Sequence, residues 1–262
     1  MSASEYLAPV PQWVAGRASL EAVYHLGIEK WKNQPKFRNA FTRDFGKLIE
    51  KYAGEQLDQV PGAALSGERP YGKGGGSKTV DWILVLPRVV LLVEVKNARV
   101  AAMGRLDVEG WTVDVRRDVG KGMSQIATTA DLLRGRHSIF NDIPADRPLR
   151  AVVVTAEPHH LINSPIYRRS LPDATIPTTV MSLQTLERAV AHTLVRDPSE
   201  VFLALTESSE HEAMNHEQLM RRWQQQGGVQ GRLPNPLLDA GWQRYSWHLE
   251  APPGADGEAV EV

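Results

Sequence analysis

A chain of 262 residues, 42% hydrophobic and 23% charged, is long enough for one well-filled catalytic domain with extensions and has the balance of an ordinary globular protein. It has no cysteine, which excludes disulfides, zinc–cysteine centres and thiol nucleophiles. Thirty basic residues against 31 acidic ones leave a net charge of -1, so binding to nucleic acid would have to rest on a local basic patch.

The first residues, Met1 to Glu5, lack the basic and then apolar pattern of a signal peptide. No apolar run approaches the roughly 20 residues of a membrane span, and the longest, Val89 to Val93, has the length of a strand. The expected address is cytoplasmic, with no membrane partner. Residues 1–37 read as a helical lead-in: Leu20, Val23, Tyr24 and Leu26 fall near helical spacing, and Pro35 is expected to break it. A stronger helix is predicted from Ala40 to Leu57, with Phe41, Phe45, Leu48, Ile49, Tyr52 and Leu57 on its stripe and Pro61-Gly62 beyond its end. Gly72 to Lys78 reads as a flexible loop. Its glycines and lysines lack phosphate-loop spacing and a strand follows them, which argues against an ATPase.

Two short, β-branched runs follow, Val80 to Leu86 and Val89 to Val95, divided by Pro87-Arg88. They are predicted as paired strands. Gly104 to Arg116 alternates weakly through Leu106, Val108, Trp111, Val113 and Val115, and is predicted as a further hairpin or strand. Met123 to Leu133 reads as a helix, Leu149 to Thr155 as a buried strand, and Thr178 to Met181 as a strand entering a helix, Leu183 to Val195. This order predicts one α/β domain over residues 38–196, a mixed central sheet flanked by helices. Residues 197–250 read as an accessory C-terminal region with helical pieces at Glu200 to Leu205 and Glu212 to Gln226. The Pro, Gly and acidic residues of 251–262 are expected to be disordered.

The chemistry is concentrated in the paired strands. If Pro87-Arg88 is a two-residue turn, Leu86 pairs with Val89 and Ile83 with Leu92, and Asp81 falls opposite Glu94 on the same face. Lys96, two residues on, shares that face. A slip of one residue would separate the two acids, and a proline is not the usual first residue of such a turn. Facing carboxylates repel. A divalent cation resolves the conflict: Mg²⁺ takes one or two carboxylates and leaves the other positions to water and substrate phosphate. Lys96 beside it can hold an attacking water or stabilise charge on a phosphate. The pattern thus points to phosphodiester hydrolysis, set against the plainer reading of polar residues at exposed strand ends.

Val80-Asp81-Trp82 followed by Val93-Glu94-Val95-Lys96-Asn97 resembles the core of PD-(D/E)XK nucleases, and is most similar to their nuclease-related domain (NERD) branch. Gly46 to Tyr52 resembles the helix that precedes this hairpin in the restriction-endonuclease-like fold, and Gln125 matches a position where many members carry glutamine on the following helix. The resemblance spans Phe41 to Val195. It implies a core of helix, three or four mixed strands, helix and a further strand. It also implies a Mg²⁺ or Mn²⁺ site on Asp81, Glu94 and the Val95 carbonyl, with Lys96 assisting the water and Glu50 and Gln125 as outer members. Two positions depart from the pattern: Val80 stands where a proline is common, and Thr129 where the helicase-associated branch has tyrosine. For Glu50 the alternative is an exposed, charge-laced helix face, with Glu55 an equal candidate.

The expected substrate is DNA, in defence against foreign nucleic acid or in repair. RNA stays open because the same metal site cuts either polymer, as does a catalytically silent fold used for DNA binding or assembly. Backbone contacts are expected from Lys73, Lys78 and Lys121, with Arg116, Arg117, Arg134 and Arg136 as further basic groups. A near-neutral chain suggests a homodimer or a partner protein to deliver substrate. His159, His160, His192, His211 and His216 lack metal spacing and read as surface residues. Trp223, Trp242, Trp247 and Tyr245 read as packing of the C-terminal region, and no serine sits in a nucleophile elbow.

Overall fold

The computed structural model describes residues 20–97, 108–159, 162–207, 216–227 and 232–243. Predictions that touch residues 104–107, His160, His211, the start of the helix at Glu212, Tyr245, Trp247 or the 251–262 tail lie outside them.

Helices α1 (Leu20–Lys30) and α2 (Pro35–Leu57) lead into a short strand β1 (Ala64–Gly67). The helical run breaks at residues 31–34, as expected near Pro35, and Pro35 itself opens α2. Its missing N–H falls in the first turn, where that group has no helical partner anyway. The buried stripe of α2 runs through Phe45, Ile49, Ala53 and Leu57, and Leu48 is 57% exposed, one position off it. Gly72 to Lys78 is built as a small ribbon: β2 (Pro70–Tyr71) pairs with β3 (Ser77–Lys78) around a 3₁₀ turn at Lys73–Gly75. Positive φ at Gly72, Gly74 and Gly75 explains why glycine crowds this segment.

Strands β4 (Trp82–Leu86), β5 (Val89–Lys96), β6 (Leu149–Thr155) and β7 (Thr178–Ser182) complete a mixed five-stranded sheet in the order β1-β4-β5-β6-β7. β1, β4 and β5 are antiparallel, whereas β5, β6 and β7 are parallel. Every residue of β5 but Lys96 is buried, as a strand covered on both faces must be. Leu91, Val93 and Val95 join a core with α2, α5 (Leu183–Thr193) and α6 (Pro198–Thr206). Val90 and Leu92 join a second core with α3 (Val108–Arg134). Two further helices are the single turn α4 (Pro165–Arg168) and α7 (His216–Gln226), and α8 (Pro236–Gln243) ends the described chain.

The strand predicted over Gly104 to Arg116 is corrected: from Val108 onward the chain is helix α3. Val108, Trp111 and Val115 alternate only loosely, and their three- and four-residue steps run straight on into buried Val119, Met123, Ile126 and Ala130. The residues read as an accessory region enter the main core, since Val201, Phe202, Leu205, Met220 and Trp223 pack with the sheet. Asn235 is buried there, donating to Gln56 Oε1 at 2.9 Å and to the Glu187 carbonyl at 3.1 Å. His159 and His192 are buried as well, against the expectation of surface histidines, and His192 lies edge-on to Trp223 at 5.3 Å. An imidazole is half apolar, and spacing along the chain carries no signal of such packing.

One contact fixes α2 against the sheet. A Cβ added at Gly54 would stand 2.3 Å from the Trp82 ring, whose Nε1 donates to the Glu50 carbonyl at 3.1 Å. Gly54→Ala is therefore expected to destabilise the protein by about 1–3 kcal/mol through overpacking. Thermal unfolding checks this, and an unchanged midpoint would show that the indole can move aside.

Candidate active site

The hairpin has the register the sequence predicts, with Leu86 opposite Val89, Ile83 opposite Leu92 and Trp82 opposite Val93. Neither Pro87 nor Arg88 takes a positive φ, so the turn is not the usual primed type. It is held from outside instead. The Arg88 amide donates to Ser199 Oγ at 3.2 Å, and its guanidinium reaches Asp197 at 3.0 Å and Glu200 at 3.1 Å at the start of α6.

One step beyond Trp82 and Val93, Asp81 stands opposite Glu94. The Asp81 amide donates to Glu94 Oε2 at 3.3 Å, and the Val95 amide donates to Asp81 Oδ2 at 2.7 Å. The Asp81 carboxylate thus continues the ladder where the backbone of β4 stops pairing. Lys96 Nζ donates to Glu94 Oε1 and lies 3.4 Å from Gln125 Oε1. Gln125 in turn donates from Nε2 to the Thr79 carbonyl at 2.8 Å. Thr129 Oγ1 accepts from the Val80 amide at 3.1 Å and donates to the Gln125 carbonyl at 2.9 Å. One turn of α3 therefore clamps both Lys96 and the residues entering Asp81. Gly122 lets the helix approach: a Cβ there would lie 3.4 Å from Glu94 Cγ and from Lys96 Cε.

Burial dominates the electrostatics. Glu94 is 1% exposed, and desolvation, reinforced by Asp81, pushes its carboxyl up to about 8 although Lys96 opposes the shift. Asp81 rises to about 6, again by burial first, with the Val95 amide holding it down and Glu50 pushing it up. Burial, then Glu68, raises Glu50, while Lys78, Lys47 and Lys96 lower it. Glu50 thus belongs to the field of this site and is half-buried. Glu55 is its exposed neighbour, paired with Lys51 at 3.6 Å. Glu68 is the acid the sequence does not reveal. It follows β1, pairs with Lys78 at 2.6 Å, and reaches the site only because Gly67 pairs with Trp82.

The structure thus brings Asp81, Glu94, Lys96 and Gln125 together, with Glu50 at the margin. Of the expected backbone-binding lysines, Lys78 is engaged by Glu68, whereas Lys73 and Lys121 are exposed. Arg117 pairs with Asp118 at 3.0 Å, and Arg134 and Arg136 lie at the other end of α3. Among the described residues no three His, Asp or Glu side chains form a metal-holding group. The oxygens present nonetheless suit a hard cation: the Glu94 carboxylate accepts from the Asp81 amide, and the Asp81 carboxylate from the amide next to Glu94. The Val95 carbonyl must point to the same side as its amide, which faces Asp81.

If the two carboxylates hold a catalytic cation, replacing Gln125 by alanine is expected to lower metal affinity or turnover about 10–100-fold while leaving the fold intact, because Lys96 loses its second partner. Metal titration alongside rate measurement checks this; equal rates and affinities would reduce Gln125 to a helix-packing role. Scans against family models, curated proteins and solved structures find no match to this chain.

Proposed function

We propose that this chain is a Mg²⁺- or Mn²⁺-dependent nuclease that hydrolyses DNA phosphodiester bonds, with a restriction-endonuclease-like core formed by α2, the β4–β5 hairpin, α3 and β6. The observation that carries the reading is a pair of buried, mutually repelling carboxylates, Asp81 and Glu94, with the Lys96 ammonium beside them. A fold gains nothing from burying two acids face to face, so the pair supports a site that collects a cation.

In this reading Asp81, Glu94 and the Val95 carbonyl hold the ion. A bound divalent cation supplies electrophilic stabilisation of the phosphate oxygens and a readily deprotonated water. The protein's own part is positional. Gln125 and Thr129 fix Lys96 and the approach to Asp81, so Lys96 can donate to the attacking water or to the phosphoryl oxygen as negative charge grows. Glu50 stands at the margin, able to accept a hydrogen bond from solvent. Lys73 and Lys121, both exposed, suit the DNA backbone. Defence against foreign DNA, or repair, is the setting that the resemblance suggests.

A second reading has its own observation. Lys96 already neutralises Glu94 without a cation, which is what a catalytically silent fold used for DNA binding would need. Plasmid nicking with Mg²⁺, Mn²⁺ and EDTA separates the two. Metal-dependent nicks support the nuclease. Metal-independent DNA retention without cutting supports the silent module.

A further inference from the structure

At the end of the sheet remote from Glu94 lies a cleft of about 490 Å³ between the C-terminus of α3 and the starts of β6 and β7. The parallel register puts Lys96 beside Thr155 but Val90 beside Leu149, at the cleft. Six residues of strand, roughly 20 Å, therefore separate it from the site proposed above. Four arginines line it, Arg134, Arg136, Arg147 and Arg150, and no acidic residue does. Phe140 and Ile176 contribute apolar wall.

The four cations are not equally committed. Arg134 is tied to the Thr175 carbonyl at 2.9 Å, and Arg147 donates to the Leu86 carbonyl. Arg150 keeps one guanidinium arm on the neighbouring Leu149 carbonyl at 3.1 Å, but its Nε is buried with no hydrogen-bond partner. The other guanidinium arm, Nη2, is the donor that an oxyanion in the cleft would meet. Arg136 is exposed at the rim. Arg136 closes α3, its amide donating to the Leu133 carbonyl at 3.1 Å and the His137 amide to the Leu132 carbonyl at 3.0 Å. Among the described residues the non-glycine positions with positive φ are Arg136 at 52° and Thr175 at 62°, the latter next to Ile176. The left-handed conformation at Arg136 is thus that of a helix end, with an arginine where glycine is usual.

We infer that this cleft binds a nucleotide-sized phosphate monoester, its phosphate held by the Arg136 and Arg150 guanidinium groups and its planar body against Phe140 and Ile176. The cleft falls within the range of small-ligand sites and is too small for a duplex. Guanidinium groups suit phosphate because their paired N–H donors match two phosphate oxygens. The inference does not depend on the nuclease reading, since none of these residues belongs to that site.

Calorimetric titration of the whole protein with AMP, adenosine and inorganic phosphate tests it. AMP should saturate with a dissociation constant on the order of 0.1 mM, at least about 10-fold tighter than adenosine or phosphate alone. Arg150→Met should weaken AMP about 10-fold or more. Arg136→Gly should do likewise, and it removes the cation while relieving the positive φ, so a loss of folding cannot explain the result. Asp81→Asn should leave AMP binding unchanged. No saturable AMP binding, equal affinity for adenosine, or unaltered binding in both arginine variants would overturn the assignment. So would loss of AMP binding in Asp81→Asn, which would place the nucleotide at the other end of the sheet.

Discussion

Asp81→Asn is expected to lower metal-dependent DNA cleavage on the order of 10³-fold or more, with the fold preserved. Asparagine is isosteric, and its Oδ1 can still accept the Val95 amide that Asp81 holds at 2.7 Å. What it removes is one of the two negative charges that would hold the cation. Lys96→Ala should bring a comparable loss in rate with little change in metal binding, because Lys96 is placed for the water or the phosphoryl oxygen and not for the ion. Single-turnover cleavage of a labelled duplex over a Mg²⁺ titration reads both. If Asp81→Asn cut within about 10-fold of wild type at saturating Mg²⁺, the chemistry would lie elsewhere in the molecule.

Glu94→Gln is expected to do the opposite to stability: in EDTA it should make the protein more stable at alkaline pH. Both folded-state values are raised, Asp81 to about 6 and Glu94 to about 8, above ordinary carboxylate values near 4. Between pH 4 and 8 the folded protein therefore holds protons that the unfolded chain has released. Stability is fully present below about pH 4 and is lost as pH rises through 6 and then 8. For Glu94 the loss is on the order of 3–5 kcal/mol. Glutamine removes that component, so the variant's thermal midpoint should exceed the wild type's at pH 8.5 and equal it near pH 4. Added Mg²⁺ should raise the wild-type midpoint at pH 8.5 but not the variant's. A wild-type midpoint flat from pH 5 to 9 in EDTA would show that the two carboxylates are not desolvated as described.

The register of the β4–β5 hairpin was legible because side-chain period and apolar runs agreed about a two-residue break at Pro87-Arg88, even though those residues do not form the usual primed turn, and a slip would have turned Asp81 and Glu94 to different faces. β6 was legible as a buried strand for a similar reason, its continuous apolar run from Ala151 to Val154, whereas the parallel pairing of β5, β6 and β7 came only with the structure. The clamp from Gln125 and Thr129 was half legible. Spacing put both residues on one helix, but nothing in it said that Thr129 meets the Val80 amide. Glu68 was invisible, since its relation to the acidic pair depends on β1 pairing with β4. The start of α3 was misread because residues at 108, 111 and 115 satisfy a loose alternation and a helical stripe together. The arginine cleft draws on α3, β6 and the approach to β7, so no window of sequence contains it.

The hydrogen-bonded residues of the candidate active site run from Thr79 to Thr129 without a break for any later element, whereas the core behind them is finished by Val201, Phe202 and Trp223. During synthesis the antiparallel hairpin and α3 can close through local contacts as soon as they leave the ribosome. The covering helices α6 and α7 and the parallel strands β6 and β7 emerge later and carry the slow, long-range pairings. Glu94 shares its face with Val90 and Leu92, the side that α3 covers, so a nascent chain would enclose its paired acids as soon as α3 docks, while the opposite face still waits for α6 and α7. Chain completion then lays β6 beside Glu94 and closes the far face of the sheet, locking in place a pair that α3 has already covered.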